Sequence, residues 1–305
     1  MDNRSVRASV VLPTYSRANV LGRSIGSVLE QTLEEYELIV VDDASTDDTE
    51  ETVNQFDDDR IRYIRHDRNR GAAAARNTGI TAAEGDIIAF QDSDDRWEKR
   101  KLEKQVTAFE NSTENVGVVY TGTLRQLPDA EEYIPGHGVQ PKEGNIEESI
   151  LQYNFVTPQA AAVRKECFET VGRFDEELPP LSDWEMWIRM SAIYEFKFID
   201  EQLVTAYLQD DSISSDNEAN RRARERIIQK HRHRFDGETL ARQLFYIGHG
   251  TLKTGDTQKG RRYLREAVEA DPQLRYLGAL GLSLFGSRLY QAAYSQYKNT
   301  HAASS

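Results

Sequence analysis

The sequence has a single cysteine, no long apolar run and a deficit of basic residues. Cys167 alone excludes a disulfide framework or a cysteine-based metal cluster, and it fits a reducing compartment. The apolar run Ala8–Leu12 ends at Pro13, so it is too short for a signal peptide or a membrane span. The net charge of −13 argues against a nucleic-acid partner, because such a partner requires a basic face.

The composition is that of a globular protein with an acidic surface. Hydrophobic residues make up 38% of the 305 residues, which is enough for a core in one large α/β domain with an appendage. Ten lysines stand against 28 arginines, and aspartate is common. This pattern resembles proteins of salt-loving archaea, although an ordinary acidic cytosolic protein would also fit it.

Strand and helix patterns alternate over the first 120 residues, which predicts a mostly parallel, doubly wound sheet with helices on both faces. The predicted strands are 8–12, 37–41, 61–64, 86–90 and 116–120. Residues 124–145 lose this periodicity and are predicted to form a long loop of the kind that often serves as a lid. "FKFI" and "LVTAYL" predict a closing pair of strands.

The remainder of the chain is predicted to be helical. We place the domain boundary at residue 215, with a helical region over 216–305. Residues 241–274 have the spacing of one tetratricopeptide-like helix pair that turns at Gly255. One such repeat cannot bury its own apolar face, so we expect this pair to pack on the catalytic domain or on the final helix.

Carboxylates follow two of the predicted strands. Asp42 and Asp43 come after the second strand, and Asp92, Asp94 and Asp95 come after the fourth. An isolated Asp is usually a helix cap or turn former, but ligands of such sheets lie beyond the carboxyl ends of the strands. Two acidic strand ends suit Mg²⁺ or Mn²⁺ carrying a phosphorylated substrate.

Three other chemistries of such folds lack their residues here. An aspartyl phosphatase needs its Asp pair after the first strand, where "PTYS" stands instead. A receiver domain needs a lone phosphorylatable Asp and a later Lys, which are not evident. A dinucleotide enzyme needs a glycine fingerprint after the first strand, and the sequence has none. An enzyme that uses a sugar nucleotide needs none of these missing residues, and it accounts for both acidic strand ends.

Four segments in order resemble family 2 glycosyltransferases with the GT-A fold. They are "VVLPTYSRANVLGRSIGSVLEQTLEEYELIVVDDASTDDT", "RNRGAAAARNTGI", "GDIIAFQDSDD" and "SDWEMWIR", and the resemblance covers roughly residues 6 to 215. It implies transfer of a sugar from a nucleotide diphosphate donor with inversion at the anomeric carbon. A catalytically degenerate scaffold is the rival interpretation, and the intact Asp43, Asp92, Asp94 and Asp183 speak against it.

The resemblance assigns roles residue by residue. Asp183 would be the general base, although a helix cap is an alternative role for it, and Asp92 and Asp94 would hold the metal. The residues implied in nucleotide-sugar binding are Pro13 and Tyr15 beside the base, Asp43 hydrogen-bonded to it, Arg76 and Asp92. Ser16 replaces an Asn common in the family, and we expect little effect. Gln209, Asp210 and Asp211 stand where the family often places a histidine, so the number of metal ligands stays open.

The resemblance and the composition together predict an acceptor and a location. We expect a lipid-linked acceptor of the dolichol phosphate type, or a glycan, used in surface protein N-glycosylation at the inner face of the cell membrane. A transferase acting on a soluble or polysaccharide acceptor is the alternative. The mostly apolar segment Tyr276–Ser287 is too short to cross a bilayer. It would either lie in the membrane interface or dock against the tetratricopeptide-like pair.

Overall fold

The structure is a computed structural model that describes residues 6–140, 142–178, 180–207, 217–287 and 289–292. The chain divides into two compact units, residues 1–215 and residues 216–305. The first unit is α/β and contains a sheet of nine strands, whereas the second unit is helical.

The first half of the sheet is parallel, as the alternating pattern predicts. Strands pair in the order β3-β2-β1-β4, and every pair in this series is parallel. All residues of β1 and β2 are buried because helices cover both faces of the sheet. The four strands are β1 (Ala8–Thr14), β2 (Tyr36–Asp42), β3 (Ile61–Arg65) and β4 (Ile87–Phe90).

The second half of the sheet is mixed. Strand β8 pairs antiparallel with both β4 and β6, and β9 runs parallel to β6. The strand predicted at 116–120 is therefore real but does not lie beside β4. The remaining strands are β5 (Arg96–Trp97), β6 (Val116–Gln126), β7 (Glu131–Ile134), β8 (Ala161–Arg164) and β9 (Glu195–Tyr207).

Two sequence predictions about this half of the sheet are wrong. Part of the predicted loop 124–145 is a hairpin, because β6 continues to Gln126 and pairs with β7. The predicted closing pair of strands is one strand, β9, which stays beside β6 through a bulge near Ile199. Periodicity misses both because a bulge changes which face the side chains occupy.

The described residues of the first unit form seven α-helices. Side chains of α1 and α4, such as Ile25 and Val106, pack with Val10 and Leu12 on one face of the sheet. On the other face, Gly79 of α3 lies against Val11. The helices are α1 (Ala18–Leu29), α2 (Thr49–Asn54), α3 (Ala72–Ala82), α4 (Lys101–Glu110), α5 (Glu147–Gln152), α6 (Lys165–Val171) and α7 (Ser182–Ser191).

We expect Gly79→Ala and Gly26→Ala to change stability in opposite directions, although both glycines lie within helices. A Cβ at Gly79 would lie 2.3 Å from Val11 Cγ1, and such overpacking costs about 1–3 kcal/mol. A Cβ at Gly26 meets no atom within 4 Å, so alanine there should add up to about 1 kcal/mol through helix propensity. Urea unfolding of both variants measures the difference, and equal stabilities would contradict the close packing of α3 on β1.

The described part of the second unit includes four α-helices. Gly255, with φ of +94°, makes the turn between α9 and α10, and these helices approach closely at Gly248 and Gly260. The helices are α8 (Asn217–His231), α9 (Gly237–Lys253), α10 (Thr257–Ala270) and α11 (Leu274–Ser283). Within the described residues, the structure contains no helix that is both long and apolar enough to cross a membrane.

Candidate active site

The turn that follows β4 carries the first part of the site. Arg76, on the inner face of α3, donates from Nη2 to Asp92 Oδ1 at 2.8 Å, and only 9% of Arg76 is exposed. Ser24 of α1 donates to the backbone oxygen of Asp92 at 2.8 Å. Asp92 is therefore fixed from two helices, and its partner Arg76 neutralises part of the charge of the acidic turn.

Asp94 is a carboxylate of this turn that has two arginines nearby. Burial first, and then the nearby charge of Asp92, raise its pKa above the ordinary value, while Arg17 and Arg23 oppose that rise. Arg23 also donates to the backbone oxygen of Asp94. A cation bound beside this carboxylate would favour its ionised form.

Asp95 has a structural role in the same turn. It is buried, and its Oδ1 accepts from the backbone N–H of Tyr207 at 3.1 Å. Burial and the charges of Asp92 and Asp94 raise its pKa. The contact ties the end of β9 to the acidic turn. Residues 209–211, where the family often has a histidine, lie outside the described residues.

The donor set of the acidic turn fits a divalent ion that keeps other ligands. Among the described residues, no group of three or more His, Cys, Asp or Glu side chains is placed to hold a metal. Asp92 and Asp94 supply carboxylate oxygens from one turn, and Mg²⁺ usually takes one or two carboxylates together with phosphate oxygens and water. The residues present therefore suit a metal that arrives with a phosphorylated substrate.

Hydrogen bonds join the loops that follow β1 and β2. The backbone N–H of Ser16 donates to Ser45 Oγ at 2.8 Å, and Asp42 accepts from Ser45 and Tyr63. Asp42 thus holds these loops through both of its carboxylate oxygens. Ser16 adopts φ of +50°, a conformation that Asn tolerates better than Ser, which gives a physical reason for the asparagine common at this position in the family.

Tyr15 and Pro13 differ in accessibility at the end of β1. Pro13 is buried within the strand, whereas 47% of Tyr15 is exposed. The exposed ring of Tyr15 offers an apolar surface beyond the strand end, where a flat base could stack.

Asp43 organises the loop between β3 and α3. Its Oδ1 accepts from His66 Nδ1 at 2.7 Å, and its Oδ2 accepts from the backbone N–H of Gly71 at 2.6 Å. The backbone N–H of Arg70 lies within 3.0 Å of both oxygens. His66 Nε2 in turn lies 2.9 Å from Thr78 Oγ1. The carboxylate therefore fixes a loop around itself, and sequence reasoning missed His66.

Asp183 lies in the first turn of α7. Its Oδ2 accepts from Asn154 Nδ2 at 2.9 Å. Burial raises the pKa of Asp183, while Asn154 and the positive charge of Arg76 oppose the rise, and Asp92 adds to it. The helix begins at Ser182 with Leu181 at its N-cap, so the alternative assignment of Asp183 as the cap is wrong.

The other residues of "SDWEMWIR" hold α7 in place. Trp184 is fully buried, and its indole N–H donates to the backbone oxygen of Ile150 at 2.6 Å, which fixes α7 against α5. The guanidinium of Arg189 pairs with the buried Glu185 at 2.8 Å and donates to the backbone oxygens of Val171 and Arg173. These contacts explain why the motif extends beyond its one catalytic candidate.

Asn77 and Glu176 connect the two loops that flank the site. Asn77 exchanges two hydrogen bonds with the backbone of Phe174 and donates to Glu176 Oε1 at 3.0 Å. Arg70, in the loop held by Asp43, donates to Glu176 Oε2 at 3.2 Å. The segment before α7 is thereby joined to the loop before α3. Asn77 follows Arg76 in "RNTG", which is the one sequence signal for this contact.

The structure brings three of the predicted residues together and places the others along the same edge. Arg76 pairs with Asp92, and both act electrostatically on Asp183. Pro13, Tyr15 and Asp43 lie at the neighbouring ends of β1 and β2. Asn154 was missed because nothing in the local pattern marks it.

This combination of a GT-A sheet, an acidic turn after β4 and a carboxylate on α7 defines a glycosyltransferase. A model described as Glycosyl transferase family 2 matches residues 9–172, more than half of the chain. The chain therefore belongs to glycosyl transferase family 2, and the predicted fold and family are confirmed.

Two curated relatives show similarity over about a third of this chain. The putative teichuronic acid biosynthesis glycosyltransferase TuaG of Bacillus subtilis is 42% identical over 108 residues, covering 35% of this chain and 43% of TuaG. The Escherichia coli enzyme WfgD, a UDP-Glc:alpha-D-GlcNAc-diphosphoundecaprenol beta-1,3-glucosyltransferase, is 44% identical over 99 residues, covering 32% and 39%. The chain thus matches less than half the length of either relative.

Solved structures support the fold over nearly the whole chain. TarS of S. aureus, residues 1–349 in complex with UDP, gives a TM-score of 0.69 at 18% identity and covers 97% of this chain and 92% of that one. The mannosyltransferase PcManGT from Pyrobaculum calidifontis, in complex with GDP-Man and Mn²⁺, gives 0.60 at 19% identity and covers 97% and 82%. At these identities the likeness shows the GT-A fold.

Proposed function

We propose that this glycosyltransferase moves a sugar from a nucleotide diphosphate sugar to a hydroxyl of a lipid-linked glycan or glycoprotein precursor, with inversion. The observation that supports the proposal is the ion pair of Arg76 with Asp92 in the turn after β4, at the carboxyl edge of the sheet, with the charges of both residues acting on Asp183. UDP and GDP-Man in the matching structures, and the diphosphoundecaprenol acceptor in the name of WfgD, support the donor and acceptor classes.

Asp183 supplies the base in this reaction. It takes the proton of the acceptor hydroxyl as the hydroxyl oxygen attacks the anomeric carbon, and the bond to the nucleotide diphosphate breaks in the same displacement. A single displacement inverts the configuration. Asn154 favours the ionised form of Asp183, which is the form that a base needs.

The donor is held by residues at the ends of β1, β2 and β4. Tyr15 and Pro13 border the base of the nucleotide. Asp92 and Asp94 would hold Mg²⁺ or Mn²⁺, which neutralises the charge that develops on the leaving diphosphate. Arg76 keeps Asp92 in place.

Asp43 acts on the nucleotide's base chiefly through the loop between β3 and α3, which it holds in place. Its oxygens already accept bonds from His66, Arg70 and Gly71, and each carboxylate oxygen has about two acceptor positions. A direct hydrogen bond from the nucleotide's base to Asp43 therefore requires one of these hydrogen bonds to break.

The test of this function is a panel of sugar nucleotides with Mn²⁺ in high salt. We expect release of UDP or GDP from one donor, slow with water and faster with a lipid-linked acceptor. An Asp183→Asn protein is the control, since it should bind the donor without releasing product. If no donor is hydrolysed or transferred, the chain is a degenerate scaffold.

The finer proposal is that the acceptor is of the dolichol phosphate type and the pathway is surface-layer protein N-glycosylation in a halophilic archaeon, at the inner face of the cell membrane. The arginine-rich, acidic composition supports it. The alternative acceptor is a soluble glycan or a polysaccharide, and comparing the two acceptor types in the same assay decides between them.

Stability that rises with KCl is the prediction that follows from the acidic composition. Residues 1–215 carry 22 Lys and Arg against 42 Asp and Glu, a net charge of −20, and salt screens this self-repulsion. We expect the melting temperature to climb between low and molar KCl. Sucrose, which has no charge, is the control for general solute exclusion. A melting temperature that does not respond to KCl contradicts the halophile proposal.

A further inference from the structure

The net charge of −13 is the sum of two segments whose net charges have opposite signs. Residues 216–305 carry 16 Lys and Arg against 9 Asp and Glu, a net charge of +7, whereas residues 1–215 carry −20. The helical unit is therefore basic within an acidic protein. Such an asymmetry suits a partner with negative charge that contacts the C-terminal unit alone.

Helix α11 is apolar on two opposite faces. Tyr276, Ala279 and Ser283 recur at intervals of three and four residues and are buried, with the Tyr276 ring 5.3 Å from that of Phe245 in α9. Leu274 and Leu277 lie on the opposite face and are 86% and 45% exposed. The docking that the sequence predicted for this segment thus exists, but it uses only half of the helix.

The exposed face continues beyond the helix end. We call it the α11 apolar surface, and its members are Leu274, Leu277, Leu282, Leu284 and Phe285, the last of which is 72% exposed. Among the described residues, the other exposed large hydrophobic side chains are Tyr15, Tyr153, Ile193, Tyr246 and Leu289. Apolar exposure is therefore concentrated here, and a concentration of this kind marks an interaction site.

Arginines border the α11 apolar surface. Arg261 of α10 donates from Nε and Nη2 to the backbone oxygen of Ser283, immediately before Leu284 and Phe285. Arg275 lies within α11, and its Nη2 donates to Tyr276 at 2.7 Å. Arg265 is exposed on α10, one helical turn after Arg261. A patch of leucine and phenylalanine edged by arginines can bury its apolar side chains while its cations stay at a charged boundary.

We propose that the α11 apolar surface docks on a bilayer that contains anionic phospholipids, with Leu277, Leu284 and Phe285 among the acyl chains and the arginines of α10 and α11 at the headgroups. The proposal goes beyond sugar transfer and does not rest on it. Each basic residue near an anionic surface adds to the attraction, and the apolar side chains add the hydrophobic contribution.

The charge of the C-terminal unit argues against a second copy of the chain as the occupant. A twofold contact through the α11 apolar surface would bring together two units that each carry +7, and like charges at an interface oppose association. An anionic bilayer offers the complementary charge.

The experiment is flotation of the full-length chain with vesicles of phosphatidylcholine, alone or mixed with phosphatidylglycerol, without donor or acceptor. We expect binding to the anionic vesicles. Leu277→Gln with Phe285→Gln should weaken it by about tenfold or more, and Arg265→Glu with Arg275→Glu by a similar factor. Ile193→Gln, an exposed apolar residue of the first unit, is the matched control and should bind as the unchanged chain does.

Four results would overturn the proposal. The first is equal binding to both kinds of vesicle, and the second is undiminished binding of the Leu277→Gln, Phe285→Gln variant. The third is binding that is seen only after residues 293–305 are deleted. The fourth is a dimer in solution that dissociates when the two glutamines are introduced. The third result would make the chain's own C-terminal segment the occupant, and the fourth a second copy. Circular dichroism in the same buffers checks that each variant is folded. Donor hydrolysis is measured separately, so its failure would affect only the proposed transfer reaction.

Discussion

Asp183→Asn should bind the sugar nucleotide almost normally and lose turnover by about 10²-fold or more, the scale of general-base catalysis. The amide has nearly the shape of the carboxylate, and its oxygen can still accept from Asn154, so α5 and α7 should keep their packing. It cannot take the proton of the acceptor hydroxyl. The loss should therefore fall on kcat and leave donor affinity unchanged.

The pH dependence of kcat separates this role from a structural one. Burial raises the pKa of Asp183, so the acid limb of the rate profile should lie above the ordinary carboxyl value of about 3.9. Asn154 donates to the ionised form and holds the pKa down. Asn154→Ala should therefore move the acid limb to higher pH while kcat at the plateau falls much less than in Asp183→Asn.

Glu177→Gln is a matched control for the loss of one carboxylate, because Glu177 is exposed in the segment that precedes α7. It should leave both kcat and the acid limb unchanged. An Asp183→Asn enzyme with full turnover would reduce Asp183 to a helix-start residue. An unchanged acid limb in Asn154→Ala would mean that another group titrates in the reaction.

The site residues that directly follow a strand could be predicted from the sequence alone. Apolar runs followed by acidic residues locate β2 and β4, and because β1, β2 and β4 are parallel neighbours, their ends meet at one edge. Asp92, Asp94 and Asp43 could therefore be assigned to that edge before any coordinates. The helical pattern of "LSDWEMWIRM", residues 181–190, likewise placed Asp183 at a helix start, although the N-cap is Leu181 and not Asp183.

Contacts between distant segments could not be predicted in this way. The pairing of Arg76 with Asp92 needs α3, which packs on β1 and β2, to reach the turn after β4, and the contact of Asn154 with Asp183 needs α5 to pack on α7 through Trp184. The mixed half of the sheet arises because β8 returns antiparallel between β4 and β6. Such insertions leave no period in the sequence, since each strand still reads as a short apolar run.

Asp94→Ala should abolish metal-dependent nucleotide binding and sugar transfer while the protein remains folded. The side chain supplies one of the two carboxylates proposed for the metal, and the metal would hold the diphosphate. The backbone oxygen of Asp94 still accepts from Arg23 after the substitution, so the turn keeps that contact. Calorimetry with UDP and GDP, with and without Mn²⁺, measures the loss, and Ser93→Ala in the same turn is the control that should retain binding.

Stability should respond to this substitution in the opposite direction from activity. Burial and Asp92 raise the pKa of Asp94 in the folded protein, so its ionisation opposes folding. This penalty is absent below the unfolded pKa of about 3.9 and complete above the raised folded value. At neutral pH without metal, Asp94→Ala should therefore melt no lower than the unchanged chain, and Mn²⁺ with nucleotide should stabilise only the unchanged chain. Unchanged nucleotide affinity of the variant with Mn²⁺ would remove Asp94 from the metal site, and a lower melting temperature without metal would make it a structural residue of the turn.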